Sequence, residues 1–317
     1  MPRSAALSEP AAGRAADRAG HRAPASRVWL RHPPLALGAL ITVALAAIAL
    51  LSLVWTPVSP ARMQIAFRLQ APLARGLLGT DQFGRDVLSM LMAGAWNSLS
   101  IAASAVAIGT AIGTLAGVAG AARRGLIEAA LMRGCDVLFA VPPILSAMML
   151  DAFLGPGRRG AIVAIAVFMV PVFARVTGSA ARQIWARDYI LAARGAGKGA
   201  TLITIEHVLP NIANPIIVQV AIQLGLAILT EAGLSFLGLG MPPPTPTWGR
   251  MLADAQTYLG VAPWLAIVPG CAIVVTVLGF NLLGDGLRDL LDPRAGGRRG
   301  LSLPALEPPQ TPDRGAP

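Results

Sequence analysis

The densest run of chemistry-bearing residues reads Asp188-Tyr-Ile-Leu-Ala-Ala-Arg-Gly-Ala-Gly-Lys-Gly-Ala-Thr-Leu-Ile-Thr-Ile-Glu-His-Val-Leu-Pro-Asn211. Its middle, Ala192 to Gly199, echoes a phosphate-binding loop, where backbone amides cradle phosphates and a Ser or Thr hydroxyl holds magnesium. Ala192 stands where that loop needs its first glycine, Gly199 stands where it needs the hydroxyl, and no strand precedes it. Nucleotide binding by this segment is therefore excluded. His21, His32 and His207 are scattered, and Cys135 and Cys271 each stand alone without metal-ligand spacing, so both cysteines read as packing residues. No Ser/His/Asp set or carboxylate pair suggests a shared catalytic pocket. What remains is electrostatic. Asp81, Arg85 and Asp86 lie close enough for an ion-pair cluster, and Asp151 and Glu231 are carboxylates set in long apolar stretches.

The elements that must position these groups are membrane helices. Of the 317 residues, 55% are hydrophobic and 13% charged, about half the charge of a soluble domain, and the mean hydropathy is +0.62. A transmembrane helix needs about 20 mostly apolar residues. Stretches at 35–55, 97–121, 136–154, 160–180, 212–233 and 263–285 qualify. Pro142–Pro143, Pro171 and Pro269 interrupt the third, fourth and sixth, which membranes tolerate where neighbouring helices satisfy the freed carbonyls. Gly109, Gly113 and Gly117 recur every four residues in the second and permit close helix approach. The Arg- and Pro-rich residues 1–33 read as a disordered tail, as do residues 291–317. An Arg-rich start mimics a targeting peptide, but Glu9, Asp17 and the distance to the first apolar run argue against cleavage.

The formal charge of +10 does not imply nucleic acid, because the basic residues flank apolar runs and form no stripe interleaved with aromatics. With the N-terminus inside, 19 of the 26 basic residues fall on one side, and the positive-inside rule places both termini in the cytoplasm. The organisation is then a tail, a first span with an outer segment at 34–96, and a core of five spans at 97–290. The core carries the cytoplasmic loop 186–211. In that loop, three glycines at alternate positions each cost a helix about 1 kcal/mol, so it reads as helix, bend, helix, with a stop at Pro210. It suits a docking element for a soluble partner, with a membrane-surface loop whose basic residues reach the interface as the plainer alternative. Glu231, near the outer end of the fifth span, and Asp151, near that of the third, each carry two readings. One is a pathway or subunit contact; the other is a carboxylate reaching the outer interface.

The loop resembles the EAA loop of ABC importer permeases, whose pattern is Glu-Ala-Ala, three residues, Gly, nine residues, Ile-x-Leu-Pro. Ala192, Ala193, Gly197, Leu209 and Pro210 match its spacing, while Leu191 replaces the Glu and His207 the Ile. His-Val-Leu-Pro-Asn is the form of the dipeptide/oligopeptide/nickel branch. Leu78-Gly79-Thr80-Asp81-Gln-Phe-Gly84-Arg85-Asp86-Val-Leu-Ser89 resembles that branch's signature before the second helix. So do Leu234–Gly240, Pro243–Gly249, and Phe280–Asp289 with Asp292-Pro-Arg294. Met90 and Trp96 depart from the pattern, replacing arginines.

The resemblance, spanning about residues 30–295, implies a type I ABC importer permease fold: all-α, six transmembrane helices, in the bacterial inner membrane. It implies half of a translocation pathway for peptides or related small solutes, completed by a homologous second permease subunit. Two cytoplasmic ATPase subunits, which hold the ATP and magnesium, dock on the 186–211 loop, and a periplasmic or lipid-anchored binding protein delivers solute. The chain itself is then no enzyme and binds no cofactor. Two rival readings are a degenerate permease, weakly coupled through Leu191, and a self-contained secondary transporter. The latter is opposed by the absence of internal repeats and of an embedded coupling site.

Overall fold

The structure, a computed structural model, describes residues 33–123, 125–140 and 142–291; the two tails expected at the ends, and Asp292-Pro-Arg294, lie outside the described residues. Regular structure among those residues is helical, apart from one isolated bridge between Thr80 and Asp86. The elements are α1 (Pro33–Leu51), α2 (Val87–Ala122), α3 (Leu126–Ala140), α4 (Pro143–Leu154), α5 (Arg158–Trp185), α6 (Asp188–Gly195), α7 (Ala200–Phe236), α8 (Trp248–Ala255) and α9 (Trp264–Leu291).

Five of these, α1, α2, α5, α7 and α9, are long and apolar enough to cross a membrane. The remaining expected span, the third at 136–154, is not one straight helix. It is the pair α3 and α4, bent by 95° where Pro142 and Pro143 interrupt the chain. Proline lacks the N–H that would continue the helix, and its ring clashes with the preceding turn. The second span also differs from expectation: α2 begins at Val87, ten residues before the apolar run, and its 36 residues are about 54 Å long. The Asp86 side chain caps that start by accepting from the Ser89 backbone amide at 2.8 Å.

Close packing depends on missing side chains. A Cβ on Gly109, Gly113 or Gly117 of α2 would collide with Met169, with Val170 and Phe173, or with Ala174 and Thr177, all on α5. These glycines let α2 and α5 form the most extensive helix pair in the fold. A second set joins α1 to α9, where Gly38 meets the α9 backbone and Gly279 and Gly286 meet Ile41 and Leu35. Gly284 of the same Phe280–Asp289 segment faces Ala221 and Ile222 of α7, so the two glycines two residues apart serve two different neighbours. The main core lies between α2, α5, α7, α8 and α9 around Ile101, Ile165, Phe173, Ile228 and Trp248. The outer residues of α1, including Leu37, Leu40 and Val43, remain exposed, as lipid contact requires.

Candidate functional site: the cytoplasmic loop and the outer seal

Helix α6 ends where Gly197 adopts φ +82°, a conformation in which a Cβ would be strained. The Gly197 amide donates to the Arg194 carbonyl and the Lys198 amide donates to the Ala193 carbonyl, 2.9 and 3.1 Å away. This paired termination satisfies the last carbonyls of the helix and explains why the pattern demands glycine at that position. Ala192 is exposed and Ala193 is half-buried.

The expected stop at Pro210 does not occur. Residues Ala200–Phe236 run as one helix containing a wider π turn at Thr204–Val208, and Leu209 and Pro210 follow it directly. The wider turn shifts the hydrogen-bond register just before the proline, whose missing N–H and ring would otherwise break an α-helix there. The loop thus joins the membrane helix α7 without a hinge.

The two sides of the loop differ in character. Ile190, Ile203 and Val208 are fully buried against Val118 and Ala121 at the inner end of α2 and Ala181 and Trp185 at the inner end of α5. The Arg194 guanidinium lies 4.8 Å from the Trp185 ring centre, which adds a cation–π contact to that seam. Tyr189, Leu191, Leu202 and Ile205 are exposed, with Leu191 at 57%. Glu206 pairs with Lys198, whose hydrogen bond holds its carboxyl below the ordinary range. The buried side of the loop is thus packed directly onto the inner ends of α2 and α5.

The 79–86 segment builds a compact knot at the other side. Gly79 and Gly84 take φ near +77° and +72°, and a Cβ on either would meet the backbone of Gln70 or Gln64. The Thr80 hydroxyl donates to the Phe67 carbonyl at 2.5 Å and accepts from the Gln70 amide at 3.0 Å. Arg85 Nε contacts Asp81 Oδ2 at 2.6 Å, and Asp81 Oδ1 also accepts the amides of Phe83 and Arg85. The expected three-residue ion-pair cluster reduces to a buried pair, with the Asp81 and Arg85 side chains 5% and 6% exposed, while Asp86 is the helix cap. Asp254 of α8 lies beside this pair across a small cleft with Gln82 and Met90. Burial pushes its carboxyl up from the usual range, opposed by Arg250, which approaches to 3.0 Å, and by Arg85.

Glu231 lies on neither an open face nor the outer interface. It is 1% exposed between α7, α2 and α8, and Ser235 donates to its Oε1 at 2.6 Å. The hydroxyls of Ser98 and Thr247 neighbour it, although its Oε2 makes no hydrogen bond. Ser98 accepts the Trp248 amide, Thr247 caps α8, and Trp248 Nε1 donates to the Leu91 carbonyl at 3.1 Å. The carboxyl is thus at the centre of the polar seam that seats α8 on the outer ends of α2 and α7. Asp151 stands on α4, and its side chain lies outside the described residues. The loop and the outer knot are not one pocket; they lie at opposite ends of α2.

Sequence reading missed Asp254, the Ser98–Thr247 contribution, and two ion pairs between α3 and α5. These are Glu128 with Arg182 at 2.7 Å and Asp136 with Arg175. The charge signs were visible, but pairing over 54 and 39 residues of sequence is set by how α3 folds back onto α5.

Comparison with known proteins places these features in context. Residues 109–297 match the family described as binding-protein-dependent transport system inner membrane component. The chain is 40% identical over 262 residues to the dipeptide transport system permease protein DppC of Alkalihalophilus pseudofirmus, covering 81% of this chain and 85% of that one. It is 42% identical over 225 residues to the glutathione transport system permease protein GsiD of Pectobacterium atrosepticum, covering 71% and 75%. Among solved structures, a chain of the MetNI methionine ABC transporter, in an inward-facing conformation, superposes with a TM-score of 0.54 at 20% identity. That match covers 64% of this chain and 96% of that one, a likeness of fold.

Proposed function

The chain belongs to the family of binding-protein-dependent transport system inner membrane components, and from that premise we propose that its cargo is a short peptide or a peptide-like solute such as glutathione. It is a multi-pass permease subunit of a bacterial ABC importer. The observation that carries the cargo reading is identity of 40–42% to dipeptide and glutathione permeases over most of the chain.

In this reading the chain lies in the inner membrane with its loop in the cytoplasm and pairs with a homologous second permease. Two ATPase subunits bind ATP and magnesium and close beneath the loop, while a binding protein delivers solute to the outer face. This chain supplies no catalytic group. Its contribution is a rigid transmission: an exposed apolar face on α6 and early α7 for the ATPase, and a buried face fused to α2 and α5. The site residues Leu191, Ala192, Ala193, Gly197, Leu209 and Pro210 belong to this element, and Gly79 to Asp86 to the outer seal.

The test is reconstitution of the chain with its neighbouring permease, ATPases and binding protein in liposomes. Dipeptide-stimulated ATP hydrolysis and dipeptide uptake are expected. An assembled complex whose hydrolysis and uptake respond to no peptide or glutathione would overturn the cargo reading.

A further inference from the structure

Two ion pairs link α3 to α5, and they lie at different depths. Helix α3 starts at Leu126, so Glu128 is close to its first residue whereas Asp136 is ten residues, about 15 Å, beyond it. Arg175 lies between Phe173 and Thr177, which pack against Gly113 and Gly117, well inside the inner end of α2 at Ala122. On helix rise alone, the Asp136–Arg175 pair therefore stands farther from the inner helix ends than the Glu128–Arg182 pair, toward the apolar stretch of both helices.

The upper pair is nevertheless the more open of the two. The Arg175 and Asp136 side chains are 51% and 61% exposed, against 43% and 23% for Arg182 and Glu128. Phe139 lies 4.5 Å beneath the Arg175 guanidinium and fixes its plane. A charge facing lipid at this depth costs at least about 2.5–3.5 kcal/mol, so intramembrane charges face protein or water. Among the described residues, half or more of each of these two side chains is left uncovered. The surface that carries them lies just below the 95° bend between α3 and α4.

We infer that Asp136 and Arg175 line the aqueous translocation pathway in its cytoplasmic half, as a charged pair of both signs that a solute with a free amine and a free carboxylate meets on its way out. The inference rests on the permease reading above and names residues of its pathway. A zwitterion offers each member of the pair an opposite charge, so the pair can exchange partners without leaving a charge uncompensated. A neutral or singly charged solute offers no such exchange. Asp136 and Arg175 are positioning and selectivity groups in this scheme; nothing is bonded or cleaved.

The experiment uses the whole importer in inside-out vesicles, with Cys135→Ser and Cys271→Ser removing both native thiols. If the unsubstituted complex shows no dipeptide-driven ATP hydrolysis, the cargo reading fails and takes this inference with it; the thiol-free parent is used only once it matches the unsubstituted complex. With an active parent, Asp136→Cys is treated with a charged, membrane-impermeant thiosulfonate reagent. Rapid labelling in the nucleotide-free state, slowed at least fivefold by trapping with ATP and vanadate, is expected. Labelling only by a membrane-permeant maleimide, or by neither reagent, would place the position in lipid or in a protein interface and overturn the inference. A second readout separates transport from tethering. The charge-swapped pair Asp136→Arg with Arg175→Asp restores any lost assembly, but Arg175→Gln alone is expected to raise the half-saturating dipeptide concentration about tenfold for uptake into liposomes carrying the assembled complex right side out. Unchanged uptake by assembled Arg175→Gln would reduce the pair to a tether.

Discussion

At the scale of single residues, the outer knot shows how burial changes the meaning of a motif. Asp81 and Arg85 resemble an exposed i,i+4 pair, worth about 0–1 kcal/mol. Buried, the same pair obeys other arithmetic: removing one partner leaves an uncompensated charge and costs about 3–5 kcal/mol. Asp81 also holds the amides of Phe83 and Arg85, so the turn leading to α2 depends on it. Arg85→Ala is therefore expected to lower the thermal stability of the purified, detergent-solubilised chain substantially. Asp81→Asn with Arg85→Met, which removes both charges while keeping an acceptor for the amides, is expected to lose much less. Circular dichroism melting of the single and double variants checks this; a double variant no more stable than Arg85→Ala would show that the charges themselves hold the turn. Glu231 follows the same logic in reverse. Its sequence position suggested contact with pathway or interface, yet its side chain is spent inside the subunit, holding Ser235 beside the seat of α8.

At the scale of elements, helix pairing is governed by what the glycines omit. A Cβ on Gly117 would strike Thr177 Oγ1 and the Ala174 carbonyl, and the latter is backbone that cannot swing aside. Gly117→Val is thus expected to force α2 and α5 apart and to loosen the loop seam, since Val118 and Ala181 on those helices hold Ile190 and Ile203. Gly134→Val on α3, where a Cβ meets nothing, serves as the tolerated control. Protease sensitivity of the 186–211 loop in detergent should rise sharply in the first variant and stay unchanged in the second. The glycine spacing was legible in the sequence, as were five spans, because apolar length and period are local properties. The start of α2 at Val87 was not, since its first turns are set by the Asp86 cap and by packing on Trp248 rather than by an apolar run. Pro210 misled for a related reason: a proline forbids an ordinary α turn, but a π turn placed before it keeps the helix going. Pro142–Pro143 correctly marked a break, while the 95° angle depends on how α3 pairs with α5.

At the scale of the whole molecule, the question is whether Leu191 weakens the coupling between this chain and its ATPase. The inward side of α6 is intact: Ile190 is buried, Arg194 covers Trp185, and Gly197 closes the helix end. The change falls on an exposed position: Leu191, like Tyr189, Leu202 and Ile205 elsewhere on the loop, is open to the surroundings. A glutamate there would offer an exposed ion pair worth about 0–1 kcal/mol. Leucine, with more than half its surface still open at 57%, offers about 1 kcal/mol on being covered. The two contributions are of equal size. If the loop docks an ATPase as proposed, leucine can hold that contact as well as the carboxylate would. Leu191→Glu is expected to reduce co-purification of the natural ATPase about fivefold and to lower dipeptide uptake in proportion. Replacing residues 190–199 outright should abolish both while leaving the membrane helices folded. Uptake that rises in Leu191→Glu would show the opposite, that the natural chain is a weakly coupled permease. The magnitude argument favours a docking surface that has changed its chemistry without losing its grip.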